Sequence, residues 1–213
     1  MTDRLTILDG HALVEHKLNQ LRHKDCPSEL FRARIKEIGM LLAVIASDRL
    51  ETIAYEFPTP LETMRGKRLK HAPVVVPILR AGLGLSDGIL SVMTEAHVGH
   101  IGLYRDKETL QPGEYMVKLP ELKERDIILV DPMLATGGSI IKAIEILIAH
   151  GAAEERISLV SLVASPEGIK AVQDKYPFAH LIIAAMDREL NDKGYILPGL
   201  GDAGDRLFGT GHG

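Results

Sequence analysis

Val130-Asp131-Pro132-Met133-Leu134-Ala135-Thr136-Gly137-Gly138-Ser139 joins one apolar run to another, and its reading decides the fold. Upstream, Asp126-Ile127-Ile128-Leu129-Val130 is short, β-branched and bounded by charge, the pattern of a buried parallel strand. Downstream, residues 140–149 are apolar on most faces and close at His150-Gly151, which predicts a helix with a glycine just past its end. Between strand and helix lie an acid, a threonine, two glycines and a serine. A turn of that composition suits a phosphate: glycines let backbone N–H groups approach the anion, hydroxyls donate, and the helix N-terminus adds partial positive charge. The helix-end contribution is only ~0.3–2 kcal/mol, so the donors carry most of the binding.

Outward from this turn, strand and helix signals alternate. Residues 74–79 read as a buried strand, followed by Arg80-Ala81-Gly82-Leu83-Gly84 and a short helix to about residue 92. Residues 98–104 and 157–164 are further strands, Ser165-Pro166-Glu167 starts a helix to about residue 175, and 180–186 is the last core strand. The fold class is therefore α/β, a mostly parallel sheet flanked by helices and connected by right-handed crossovers. Toward the N-terminus, residues 12–21 form a short helical segment. Ser28 reads as the N-cap of a long amphipathic helix reaching about Ala54, with Phe31, Ile35, Ile38, Leu42 and Ile45 as a stripe for core or subunit contact. Phe57-Pro58-Thr59-Pro60 breaks that helix. Turn chemistry at Leu110-Gln111-Pro112-Gly113-Glu114, between extended segments, predicts a β-hairpin arm over about 102–120. The tail, 187–213, holds too many glycines for a long helix or strand and too many apolar residues for disorder. It reads as a structured loop region, equally suited to closing on a small planar ligand or to capping the fold.

Composition narrows the class. The chain has 213 residues, 25 Lys plus Arg against 29 Asp plus Glu, and one cysteine, Cys26. The length suits a single domain with a real core. The slightly acidic balance offers no footprint for nucleic acid, and one cysteine excludes a disulfide framework or a cysteine-rich zinc site. The first residues lack a signal-peptide layout, and no apolar run approaches the eighteen or so residues of a membrane helix, so a cytoplasmic protein without membrane partners is expected.

Two phosphate motifs are excluded by spacing. A Walker A loop needs lysine before its Ser/Thr, where this chain has Gly138. The glycines after Arg80 do not fit a dinucleotide fingerprint, because the third falls at Gly88 and no acid follows at a strand end. What remains is an acid at a strand tip, Asp131, followed by a hydroxyl-and-glycine cradle at Thr136-Gly137-Gly138-Ser139. Asp131 can accept from vicinal hydroxyls while the cradle holds a monophosphate, which describes a ribose 5-phosphate. Arg80, at a strand's carboxyl end where ligands of open α/β sheets gather, suits a diphosphate, although a surface ion pair would also use it. With Arg105 added, the ligand resembles phosphoribosyl diphosphate (PRPP).

The stretch 130–139 resembles the PRPP motif of type I phosphoribosyltransferases. Together with Pro77-Ile78-Leu79-Arg80-Ala81-Gly82 and Tyr195-Ile196-Leu197-Pro198-Gly199-Leu200-Gly201-Asp202-Ala203-Gly204-Asp205-Arg206, it is similar to the uracil phosphoribosyltransferases over nearly the full chain. A single acid followed by Pro132, where most of the superfamily has two acids, marks the uracil-specific branch. The resemblance implies one domain over 1–213 with the type I phosphoribosyltransferase fold, an arm at about 102–120 and a base-binding hood at about 187–213. It implies that Asp131, Pro132, Met133, Leu134, Ala135, Thr136, Gly137, Gly138 and Ser139 bind the ribose 5-phosphate, that Arg80 and Arg105 contact the diphosphate, and that Ile196, Gly201, Asp202 and Ala203 bind uracil, with Asp202 also near PRPP. Asp131, Arg105 and Asp202 would be the catalytic candidates. The implied reaction converts uracil and PRPP to UMP and diphosphate, with Mg²⁺ held mainly through the diphosphate, GTP as a possible allosteric activator, and a homo-oligomer as the assembly. Two alternatives stay open: a pyrimidine-responsive RNA-binding regulator of the same fold, and a phosphoribosyltransferase for another base.

Overall fold

The computed structural model describes residues 4–105 and 112–210, Arg105 and Pro112 by their backbone alone. In chain order the elements are β1 (Leu5–Ile7), α1 (Ala12–Arg22), α2 (Ser28–Ser47), β2 (Thr52–Pro58), β3 (Thr63–Leu69), β4 (Val74–Leu79), α3 (Gly82–Val92), β5 (His97–Val98), β6 (His100–Arg105) and β7 (Pro112–Lys118). They continue with β8 (Ile127–Val130), β9 (Met133–Leu134), α4 (Gly138–Ala149), β10 (Ile157–Ala164), α5 (Pro166–Lys175), β11 (His180–Met186), β12 (Glu189–Leu190), β13 (Ile196–Leu197) and α6 (Ala203–Phe208).

The main sheet runs β1-β11-β10-β8-β4-β6-β7, with β5 beside β4 and β9 beside β10. Every pairing is parallel except β6 with β7, as the alternation of strands and helices predicts. Side chains leave a strand on alternate faces, so each strand feeds two cores. Val75, Ile128, Val160 and Ile182 point to the layer of α1, α2 and α3. Val74, Val76, Ile127, Leu129, Leu159, Leu181 and Ile183 point to α4 and α5. The strands flanking the turn at Asp131 are buried on both faces, and this fixes the turn at the carboxyl edge of the sheet.

Two expectations change, the bounds of the second helix and the structure of the segment after it. The second helix stops at Ser47, not near Ala54, and its N-cap is Pro27, so Ser28 is its first residue. Its stripe is core: Phe31, Ile35, Ile38 and Leu42 are fully buried. Residues 52–69 form a β-hairpin instead of helix and break, paired from Thr52↔Leu69 to Pro58↔Thr63. The β-branched and aromatic residues Thr52, Ile53, Tyr55 and Phe57 favour strand there, and Thr59 closes the tip by accepting from the N–H groups of Leu61 and Glu62. The expected arm at 102–120 exists as the antiparallel pair β6–β7, with a register shift between Gly102 and Leu103; its tip, 106–111, lies outside the described residues. The tail holds a two-stranded ladder, β12–β13, and the six-residue α6.

α2 and α3 approach through glycines. A Cβ on Gly88 would stand 2.1 Å from the Lys36 carbonyl oxygen, and one on Gly39 would stand 2.4 Å from that of Leu85. Both obstacles are backbone, so the helices would have to separate. Gly88→Ala is expected to destabilise the protein by about 3 kcal/mol, at the upper end of overpacking costs, read as a fall in the urea midpoint at unchanged m-value.

Candidate active site

The strand-end turn is built by breaking β8 against its neighbour. β8 pairs with β10 as far as Val130↔Val160, and pairing resumes at Met133↔Val163. In the gap the Pro132 carbonyl accepts from two successive amides, Leu162 at 3.0 Å and Val163 at 3.1 Å. Proline, which has no N–H to lose, fits where the ladder is interrupted. Asp131 is thereby lifted to the sheet edge, where Oδ1 accepts from the Met133 N–H at 3.3 Å.

α4 then starts at Gly138 with Gly137 as its N-cap, at φ 84° in the left-handed region that favours glycine. α5 holds the turn from behind. The Ser165 hydroxyl donates to the Ala135 carbonyl at 2.7 Å and accepts from the Gly168 N–H at 2.9 Å. A Cβ on Gly168 would stand 2.1 Å from the Ala135 oxygen, so the turn rests directly on helix backbone. Asp131, Met133 and residues 135 to 140 line one hollow of about 70 Å³. Thr136 and Ser139 are exposed at its mouth, whereas Pro132 and Leu134 are buried behind it.

The arginine loop is the neighbouring strand end. β4 pairs with β8 at Pro77↔Val130, and a Cβ on Gly82 would stand 2.5 Å from the Val130 carbonyl oxygen, so the two loops touch. Arg80 itself is paired with the tail. Its guanidinium donates to the Thr210 hydroxyl at 3.3 Å, lies 3.8 Å from the Asp205 carboxylate and 5.3 Å from the Phe208 ring centroid. Arg105 ends β6 at the next strand over, and its side chain is outside the described residues.

The tail returns to this edge, where Asp205 and Thr210 meet Arg80. Ile196 and Ala203 are buried in the core shared with α2 and α3, while Gly201 and Asp202 are exposed. Gly199 and Gly201 have φ of 63° and 77°, and a Cβ on Gly199 would stand 2.2 Å from the Ile196 oxygen. Asp202 caps α6, its Oδ1 accepting from the Asp205 N–H at 2.9 Å. Its carboxylate is thus an orienting group for the loop.

A family model for uracil phosphoribosyltransferase matches residues 8–210. The chain belongs to the uracil phosphoribosyltransferase family. It is 53% identical over 213 residues to the uracil phosphoribosyltransferase of Finegoldia magna, covering 97% of this chain and 99% of that one. The Lactococcus lactis subsp. cremoris uracil phosphoribosyltransferase is 52% identical over 202 residues, covering 94% of this chain and 96% of the other. Among solved structures, a protein from Aquifex aeolicus superposes with a TM-score of 0.88 at 38% identity, covering 95% of this chain and 98% of that chain.

Of the family residues expected from sequence, the structure gathers Asp131, Met133, Ala135, Thr136, Gly137, Gly138 and Ser139 around one hollow and sets Arg80 at the adjoining loop. Sequence reading missed the supports: Ser165 and Gly168 behind the turn, and Arg22 and Asp187 behind the hood. Arg22 and Asp187 are 165 residues apart and form an ion pair at 2.5 Å. Only Ser165-Pro166-Glu167, a helix start, carried a local signal for any of them.

Asp131 is half-buried, yet protein crowds its carboxyl closely enough that desolvation raises its pKa from 3.8 to about 7, partly offset by the Met133 N–H. A raised folded-state pKa means that folding disfavours the ionised form. The destabilisation is absent below about pH 4, accumulates as pH rises and is complete above about 7, with a ceiling of ~4 kcal/mol. Asp131→Asn is therefore expected to raise the thermal midpoint at pH 8 and to leave it nearly unchanged at pH 4; an equal shift at both would contradict the burial argument.

Proposed function

We propose that the protein transfers the 5-phosphoribosyl group from PRPP to uracil, giving UMP and diphosphate. The observation that carries this reading is the single hollow lined by both Asp131 and the Thr136–Ser139 turn, which sets an acid for ribose hydroxyls beside a cradle for the 5-phosphate of one sugar. Backbone N–H groups at the start of α4 and the hydroxyls of Thr136 and Ser139 would hold the phosphate. Asp131 would accept from the ribose hydroxyls. Arg80 and Arg105, at the ends of β4 and β6, would bind the diphosphate. Arg80 would exchange its contacts with Thr210 and Asp205 for the ligand. The hood would present backbone groups from Gly201 to Ala203, beside Ile196, to uracil, with residues 1–213 acting as one domain.

In the reaction, the bond from ribose C1 to the diphosphate oxygen breaks as uracil N1 bonds to C1, and the N1 proton passes to water or to the departing diphosphate. Positive charge grows on the ribose ring and negative charge on the leaving diphosphate. The arginines would stabilise the second by charge already in place, and the Asp131 carboxylate would face the first. Asp202, whose Oδ1 caps α6, would orient uracil or help N1 lose its proton. Among the described residues, no three His, Cys, Asp or Glu side chains gather into a metal site. Mg²⁺ would arrive with the diphosphate and would supply charge neutralisation of the leaving group, beside Arg80 and Arg105. Activation by GTP and homo-oligomer assembly belong to the same reading. Among the described residues no helix is long and apolar enough to cross a membrane; a cytoplasmic location belongs to the same reading.

UMP formation from uracil, PRPP and Mg²⁺, assayed with and without GTP, tests the reading; no UMP under either condition would overturn it. Asp131→Asn and Arg105→Ala are expected to lower kcat/KM by about a hundredfold each while the protein stays folded. Gly201→Val is expected to raise the KM for uracil more than that for PRPP, and equal losses would contradict the division of labour between hood and turn.

A further inference from the structure

The segment that leads into the hood is held by a charged clamp far from it in sequence. Arg22, the last residue of α1, donates to both carboxylate oxygens of Asp187, at 2.8 and 2.5 Å. The same Arg22 nitrogen that makes the longer bond also donates to the Gly199 carbonyl at 2.7 Å. Asp187 in turn accepts from the Gly199 N–H at 2.9 Å. One ion pair thus holds both polar groups of one residue. The side chains are 18% and 4% exposed, so the pair works away from solvent screening. One residue on, Arg206 donates to the Leu200 carbonyl at 2.6 Å and to the His23 carbonyl at 2.7 Å. Successive carbonyls, Gly199 and Leu200, are each taken by an arginine, and both arginines tie back to the end of α1.

A buried ion pair is a poor device for stability alone, since well-packed apolar residues of similar volume often do as well. What apolar residues cannot supply is a donor and an acceptor for the same peptide. Gly199 needs both, because its left-handed conformation takes it out of any ladder, and a Cβ there would collide with the Ile196 oxygen at 2.2 Å. Two residues later the chain reaches Gly201-Asp202-Ala203.

We propose that Arg22 and Asp187 are positioning residues for base recognition: they fix the peptide at Gly199, and through it the Gly201–Ala203 run against the uracil edge. This rests on the reading of the tail as the base-binding hood. The pair touches no substrate and acts only through backbone. Its loss is therefore felt more by the base than by PRPP, whose cradle is built on β8, α4 and α5.

The test compares wild type with Arg22→Lys, which keeps the charge but loses the planar fork, and Asp187→Asn, which keeps an acceptor but loses the pair. Both are expected to raise the KM for uracil about tenfold, with the KM for PRPP within about twofold. Hydrogen exchange should show the Gly199 amide losing protection while the amides of β11 keep theirs. Should either variant fold poorly, Arg22→Met combined with Asp187→Leu removes both charges, restores apolar packing and is expected to show the same split. KM values for both substrates rising together, or Gly199 exchange unchanged from wild type, would overturn the proposal. A wild type that makes no UMP would overturn the proposed function instead, and the exchange measurement would still decide the clamp.

Discussion

The Pro132 carbonyl, shared by the amides of Leu162 and Val163, is the contact on which the rest of the site depends. A parallel ladder gives each carbonyl one partner, and here one oxygen takes two, so β8 and β9 cannot be a single straight strand. The offset raises Asp131 out of the core and sends the chain across the sheet edge into α4. Without it, Asp131 would continue the buried ladder and Thr136 to Ser139 would not face the hollow. The proline follows from the same constraint, because that position has no ladder bond for an N–H to make.

Around this break, the loops are located by backbone touching backbone. Gly168 lets α5 rest on the Ala135 carbonyl, and Gly82 lets the arginine loop rest on that of Val130. Contacts of this kind leave little freedom for side chains to adjust, so the geometry is set before any ligand arrives. The hood follows a different rule. Its positions are set by charged side chains reaching over from α1 and α6, a longer-range attachment than close packing. Turn and hood are thus two kinds of scaffold meeting at one edge.

Much of this architecture is legible in the chain. The strands at 157–164 and 180–186 read to the residue, because runs buried on both faces leave a continuous apolar signature bounded by polar residues. The strand before Asp131 and the helix after the glycines read correctly because each is marked by a local apolar run. The hairpin at 52–69 did not, for a physical reason: its strands are largely exposed on both faces, so no alternation marks them, and Ile53 and Ala54 extend the count of apolar residues leaving α2. α6 is too short for a period to show. Arg22 and Asp187 are invisible to spacing, since only the fold brings them together; the glycines at 199 and 201 hinted that the tail is conformationally demanding but not what holds it.

The half-buried carboxyl at the mouth of the turn also makes ligand binding a proton-coupled event. With its pKa raised by burial to about 7, Asp131 keeps its proton in part of the unliganded population near neutral pH. Ribose hydroxyls donating to it favour the carboxylate, so on the proposed reading occupancy of the cradle expels a proton in proportion to the fraction previously held. The apparent affinity for the sugar phosphate then climbs with pH below 7 and levels off above it, before any step of the chemistry is considered. A residue that weakens the empty fold thereby gives the filled one a dependence on the acidity of its surroundings.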